Sequence, residues 1–366
     1  MKFDRRFILH FDWIIFSLAI IIASIGITNL YSATFNISES YRSPVYIKQL
    51  YWIIVGLFAM ALSFSIDYRH IDRYAYHIFL ASLILLILVI PFGKSISGAK
   101  RWIQLGIISL QPSELIKLTI ILALAKYFKK YQGYNLGLLQ GLIKPLIIIS
   151  FPFFLIVHQP DLGTALIIIL ISFSILIFNG TKRTILSMIF FFFPLSLAIF
   201  YNLKDYQKLR LLTFLNPNLD PLGSGYHITQ SKIAIGSGYI YGKGYLKGTQ
   251  TQLNFLPEQH TDFIFSVLAE EWGFIGSLSI TSLYLLLILL CIKIATNAKD
   301  DFGTLVAFGI SVMIFWHVFI NIGMSIGILP VVGVPLPLLS YGGSSAVTIF
   351  IAMGLLINIS TRRFLF

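Results

Sequence analysis

The sequence predicts an all-α polytopic integral membrane protein with about ten transmembrane helices and a long extracytoplasmic loop between spans seven and eight. Three observations carry that expectation. Of the 366 residues, 57% are hydrophobic and 11% charged, with a mean hydropathy of +0.84, well outside the range of soluble domains. Apolar runs close to the roughly 18–20 residues that cross a bilayer recur along the whole chain. The cations fall between these runs, so 1–366 reads as one integral membrane domain, its outer loop at about 202–273.

The net charge of +12 does not indicate nucleic acid, because its Lys and Arg are scattered between spans instead of clustered on a soluble face. Cys291, the one cysteine, lies in an apolar run, which excludes disulfides and cysteine metal clusters. Met1 to Phe7, with Lys2, Arg5 and Arg6, leads into an apolar run to Leu30. That run is longer than a signal-peptide core and has no small-x-small cleavage site, so it is expected to be retained as the first span.

The spans are expected at Phe11 to Leu30, Tyr46 to Ile66, Tyr74 to Phe92, Pro112 to Phe128, Leu142 to Val157, Leu162 to Phe178, Ile185 to Tyr201, Phe274 to Ile294, Gly303 to Leu329 and Tyr341 to Ile359. Threading them gathers Lys2, Arg5, Arg6, Arg69, Arg73, Lys126, Lys129, Lys130, Lys182, Arg183, Lys293, Lys299, Arg362 and Arg363 on one side. The positive-inside rule makes that side cytoplasmic, with both termini inside.

The opposite side departs from the rule at Gly93 to Trp102, where Lys94, Lys100 and Arg101 sit in an outer segment. They serve either an anionic ligand or lipid headgroups with Trp102 as anchor. Pro112 suits the first position of the fourth helix, where its missing N–H costs nothing. Glu114 then lies in the first turn and Lys117 three residues on, on the same face. Ionisable groups this near hydrocarbon point to a functional site facing water, or to a buried structural pair. Asp161, in His158-Gln-Pro-Asp-Leu-Gly-Thr164, is placed to cap the sixth helix.

In the long loop, Tyr226 to Ile235 is expected as a short interfacial helix. The glycine-rich run Gly236 to Gly248 has neither dinucleotide nor P-loop spacing and follows no strand, and no ATP site is visible elsewhere. Near the end, Pro330, Pro335 and Pro337 break the helix at membrane depth, which is tolerated where a wet cavity or protein satisfies the backbone. Ser344, with Gly342, Gly343 and Ser345, then opens the last helix as a candidate anion seat on the same side.

The strings Gly98-Ala-Lys-Arg-Trp-Ile-Gln-Leu-Gly106, Gln111-Pro-Ser-Glu-Leu-Ile-Lys117, Gln159-Pro-Asp-Leu-Gly-Thr164, Asp220 to Gly236, Phe255-Leu-Pro-Glu-Gln-His-Thr-Asp-Phe-Ile-Phe265 and Leu329 to Ser344 resemble the SEDS family (shape, elongation, division and sporulation) from the first span to the last. Gly244-Tyr-Leu-Lys-Gly-Thr-Gln-Thr-Gln252 and the His-Thr-Asp string resemble its elongation branch more than its division branch. The resemblance implies ten spans in the bacterial cytoplasmic (inner) membrane, a peptidoglycan glycosyltransferase that polymerises lipid II on the outer face, and a class B penicillin-binding protein transpeptidase as partner. It implies Asp262 as the catalytic aspartate, and Arg101, Glu114 and Lys117 as polar positions of the central cavity. Gln259 departs from the pattern, since relatives carry Arg there.

The implied chemistry suits the residues. Diphosphate is a stable leaving anion, so cations such as Lys117, Arg101 or a divalent metal (Mg or Mn, with Asp262 as a possible ligand) are wanted more than a general acid, while one carboxylate accepts the hydroxyl proton. Lys100 and Ser344 join the expected substrate-binding set. A lipid II flippase would share cavity and substrate but needs a headgroup path through the inner half. A non-catalytic scaffold leaves Glu114 and Lys117 without a purpose.

Overall fold

A computed structural model of the chain describes residues 11–35, 44–96, 99–105, 108–131, 143–179, 205–216, 219–221 and 223–363. The order of elements is α1 (Trp13–Ala33), α2 (Val45–Ser65), α3 (Tyr68–Phe92), β1 (Lys94–Ile96), β2 (Ala99–Leu105), β3 (Ile108–Leu110), α4 (Pro112–Lys129), α5 (Lys144–His158), α6 (Leu162–Asn179), α7 (Asp205–Leu215), α8 (Ser224–Ser237), α9 (Thr249–Gln252), α10 (Ile264–Thr296), α11 (Asp301–Ser325) and α12 (Gly343–Arg362).

Among the described residues, seven helices (α1, α2, α3, α6, α10, α11 and α12) are long and apolar enough to cross a membrane. They match the first, second, third, sixth, eighth, ninth and tenth expected spans. The fourth is α4, whose 18 residues include Glu114, Lys117, Lys126 and Lys129; the fifth is the shorter α5, with 15. The seventh expected span, with Lys182 and Arg183, lies outside the described residues, as does the chain start with Lys2, Arg5 and Arg6.

Burial orders the bundle. In α12 89% of the most apolar window is buried, and α4 is buried along nearly its whole length. These two form the centre, α12 against α2 and α4 between α3, α6 and α11. Their small residues (Ala123, Ala125, Ala346, Ala352 and Gly354) allow neighbours to approach, which is how helices associate where apolar burial gains nothing over lipid. The outward faces of α2, α3 and α10 expose Phe58, Leu62, Leu80, Ile84, Leu285 and Leu289, as a lipid-facing surface must.

Two features were not expected from the sequence. The cationic segment after α3 is a three-stranded antiparallel sheet of order β1-β2-β3, with Lys94 opposite Trp102 and Gln104 opposite Ser109. α10 is two helices joined at Gly273, whose φ of 66° suits glycine alone; a Cβ there would come within 2.3 Å of the Gly242 nitrogen. Past the break, the Phe274 and Ile275 N–H groups bond to the Tyr239 and Ile240 carbonyls, so the loop caps the second half. The short helix expected at Tyr226 to Ile235 is present as α8.

Candidate active site

Asp262 stands in the turn Phe255 to Phe263. The N–H groups of Thr261, Asp262 and Phe263 all bond to the Glu258 carbonyl at 3.1–3.3 Å, and Glu258 takes a left-handed φ of 47° to allow it. α10 begins after Phe263, and no side chain caps it. Helix capping therefore does not explain Asp262. Its carboxylate has no hydrogen bond or salt bridge among the described residues. Gly333 lies beside it: φ is +71°, and a Cβ there would stand 3.3 Å from Asp262 Oδ2.

Burial pushes the Asp262 carboxyl up to about 7, the negative charges of Glu258 and Asp161 add to the rise, and Arg210 and Arg101 oppose it. The result is a proton acceptor poised near neutral pH. Burial also lowers His260, its neighbour in the turn, against the opposing pull of Glu258.

Two other segments meet this turn, and the sheet brings a cation within electrostatic reach of it. The broken chain between α11 and α12 is joined to it where the Tyr341 N–H bonds to the His260 carbonyl at 2.9 Å. Asn321 on α11 donates to the carbonyls of both Asp262, at 3.0 Å, and Val334, at 2.7 Å. From the sheet, Arg101 donates to the carbonyls of Gln159 and Pro160 and lies 3.6 Å from Asp161. Asp161 caps α6 as expected, accepting from the Thr164 N–H at 3.2 Å and hydroxyl at 3.0 Å. Asp161 thus caps a helix and pairs with Arg101.

Glu114 and Lys117 meet 2.8 Å apart, and Lys117 is also 2.8 Å from His317 Nε2. His317 Nδ1 lies 2.7 Å from the Met313 carbonyl, which only accepts, so Nδ1 carries the proton and Nε2 accepts from the ammonium. All three side chains are buried. The expectation of a cation facing water holds for Arg101, whose side chain is 31% exposed, and not for Lys117, at 3%. Lys100 is exposed on β2. Ser344 is buried as a tie: it accepts from the Gln111 N–H at 3.0 Å and donates to the Ser109 carbonyl at 3.3 Å, joining α12 to the β3–α4 junction.

Gln259 is buried, donating to the Ala33 carbonyl at 2.8 Å and to Asn254 Oδ1 at 3.2 Å. It anchors the Asp262 turn to α1, with no cation at this position. Sequence reasoning passed over Asn29, Gln49, His317 and Asn321. The signal was present, since each is a polar side chain inside an apolar run.

Among the described residues no group of three or more His, Cys, Asp or Glu is placed to hold a metal ion. Mg²⁺ is commonly held by one or two carboxylates, with water and substrate phosphate completing its shell. The unbonded Asp262 carboxylate fits such a site.

The family profile FTSW_RODA_SPOVE, described as cell cycle protein, matches residues 10–364. The peptidoglycan glycosyltransferase MrdB of Escherichia coli (strain K12) is 42% identical over 317 residues, covering 85% of this chain and 84% of that protein. The peptidoglycan glycosyltransferase RodA of Treponema pallidum (strain Nichols) is 36% identical over 98% of this chain and 99% of its own. Among solved structures, a chain from work on the structural coordination of polymerization and crosslinking by a peptidoglycan synthase complex superposes with a TM-score of 0.82 at 32% identity, covering 97% of this chain and 98% of that one. The crystal structure of the Thermus thermophilus rod shape determining protein RodA gives 0.72 at 30% identity, with the same coverages.

Proposed function

The chain belongs to the SEDS family of polytopic membrane proteins and is a peptidoglycan glycosyltransferase; we propose that it polymerises lipid II, with Asp262 as the base. The observation that carries the assignment of Asp262 is its carboxylate: partly buried, without a hydrogen bond among the described residues, pushed up to about 7 and set beside Gly333 in the broken chain between α11 and α12. In the reaction Asp262 takes the proton of the acceptor sugar's 4-hydroxyl as that oxygen attacks the anomeric carbon of the donor. The bond to the donor's diphosphate breaks, and undecaprenyl diphosphate leaves as an anion. Direct displacement inverts the anomeric centre once, so one carboxylate suffices, without the pair a glycosidase needs.

Arg101 is the candidate cation with an exposed edge toward the leaving group, and Lys100 extends the basic strand. Lys117 acts from beneath, as a fixed buried charge held by Glu114 and His317. A divalent cation bound by Asp262 and the diphosphate would supply further charge neutralisation. The flippase alternative finds little support along α4, where Ile120, Ile121, Ala123 and Leu124 below Lys117 are buried and apolar. We assign the Asp262 end to the outer face of the bacterial inner membrane and the cationic end to the cytoplasm. The partner is a class B penicillin-binding protein transpeptidase, in line with the synthase complex that contains a similar chain. Purified protein given labelled lipid II tests this: wild type yields glycan strands and Asp262→Asn none. Equal yields would remove Asp262 from the chemistry, and translocation without strands would favour the flippase.

A further inference from the structure

Two asparagines buried in different spans hold the backbone at Asp262 and Ile264. Asn321, on α11, is fully buried, and its Nδ2 donates to the Asp262 and Val334 carbonyls. Both partners only accept, so the amide nitrogen must face them and the orientation of the side chain is fixed by chemistry. Asn29, on α1, is buried too and donates from Nδ2 to the Ile264 carbonyl at 3.0 Å. Between the two held carbonyls lies Phe263, fully buried.

The geometry explains why a donor is needed at the Asp262 carbonyl. The Ser266 N–H turns to the Phe263 carbonyl at 3.0 Å, which leaves the Asp262 carbonyl ahead of the helix without a helical donor. Asn321 supplies it. An amide inside a span is unfavourable unless bonded, and an apolar side chain of similar size would pack α1 or α11 equally well. What the two amides add is a fixed position for residues 262–264 against both helices.

We propose that Asn321 and Asn29 are positioning residues that clamp the Asp262 and Ile264 carbonyls, aiming the unbonded Asp262 carboxylate at the acceptor hydroxyl. This rests on the assignment of Asp262 as the base. His317 stands one turn before Asn321, on the same face of α11, so the helix that holds the carboxylate's backbone also holds Lys117. The charged groups around the carboxylate are Glu258 and His260 in its own turn, Arg210 on α7, Arg101 on β2 and Asp161 ahead of α6. Lys117 and Glu114 on α4 lie beyond His317.

Steady-state polymerisation of purified lipid II by the full chain, measured across pH, tests the clamp. In Asn321→Ala, kcat is expected to fall roughly 30- to 100-fold with KM within about threefold, the scale of a misplaced catalytic group. The acid limb of the rate profile should also move down by about one pH unit, as a loosened turn admits water to the carboxylate. Asn29→Ala should change both in the same direction, with kcat lower by roughly tenfold. Asn321→Ser, which keeps one donor, should fall between wild type and Ala; if Asn321→Ala is not recovered folded, Asn321→Ser and Asn29→Ala decide on the same readings. Folded variants with kcat within threefold of wild type and an unmoved acid limb overturn the clamp. Asp262→Asn is run beside them. An active Asp262→Asn overturns the base and the clamp together, whereas an inactive one beside wild-type-like asparagine variants overturns the clamp alone.

Discussion

The two ends of the bundle are built on opposite principles. At the Asp262 end lies every positive-φ residue among those described: Pro160, Tyr239, Leu246, Asn254, Glu258 and Leu338, with Gly242, Gly244, Gly273, Gly327 and Gly333. At the other end the described backbone is regular and several of the charges are paired. Lys129 lies 2.7 Å from Asp72 and 3.9 Å from Asp300, Tyr68 donates to Asp300 at 2.5 Å, and Arg362 meets Asp67 at 2.9 Å. Asn358 gathers the carbonyls of Ser63, Phe64 and Ile66 at the α2–α3 turn. One end fixes the helices to each other; the other spends backbone regularity on leaving a carboxylate unbonded. Strain of this kind persists only where its surroundings over-determine it, and it gathers at sites of function.

Substitutions at the two ends therefore separate activity from stability. Asp262→Asn carries the largest expected effect, a loss of at least about 10³-fold in polymerisation with folded protein and partner binding retained, read from labelled lipid II and copurification. Normal polymerisation would dissolve the distinction between the ends.

Lys117→Met tests the buried layer between them. It leaves the Glu114 carboxylate buried and unpaired, so unfolding in detergent should show a loss of about 3–5 kcal/mol. The double variant Lys117→Met with Glu114→Gln should recover most of that stability. A single variant as stable as wild type would mean that the network carries no charge.

Arg362→Gln probes the paired end. Its side chain is 10% exposed and that of Asp67 19%, so a loss of about 1–2 kcal/mol is expected, with kcat per folded molecule within about twofold of wild type. A fall in kcat without a fall in stability would show that the ends are coupled.

The smallest effect is a pH dependence of stability. The folded Asp262 carboxyl is raised from 3.8 to about 7, so the stability it contributes is full below the unfolded value and is lost as pH rises through about 7. Asp262→Asn should therefore melt about 2–4 °C above wild type at pH 8.5, as about 1 kcal/mol would give for this partly exposed group, with the difference closing toward pH 4. An equal difference at both pH values would point to packing instead of charge.

Much of this was legible in the sequence because a bilayer leaves few choices. Apolar run length located the spans that the described residues test, and the proline string marked the broken chain between α11 and α12. Asp161 capped its helix, and Glu114 met Lys117 at helical spacing. These are local relations, within one helix or one turn, and local sequence decides them. The strands after α3 were missed because a cationic segment of eighteen residues has no apolar alternation strong enough to stand out. The break at Gly273 was missed because the residues on both sides read as helix, and the Tyr239 and Ile240 carbonyls that justify it come from another segment.

The sequence by itself determined that this is a helical membrane protein with an irregular end and a small set of charges too deep to be accidental. Only the tertiary structure decided what each charge meets: Arg101 on the carbonyls of the Gln159–Asp161 turn, Lys117 on His317 from a helix two hundred residues away, Ser344 as a tie, Asp262 left unbonded. The physical reason is that an ionisable group in a low-dielectric interior is defined by its partners, and those partners are supplied by packing between helices distant in sequence, which no single stretch of chain encodes.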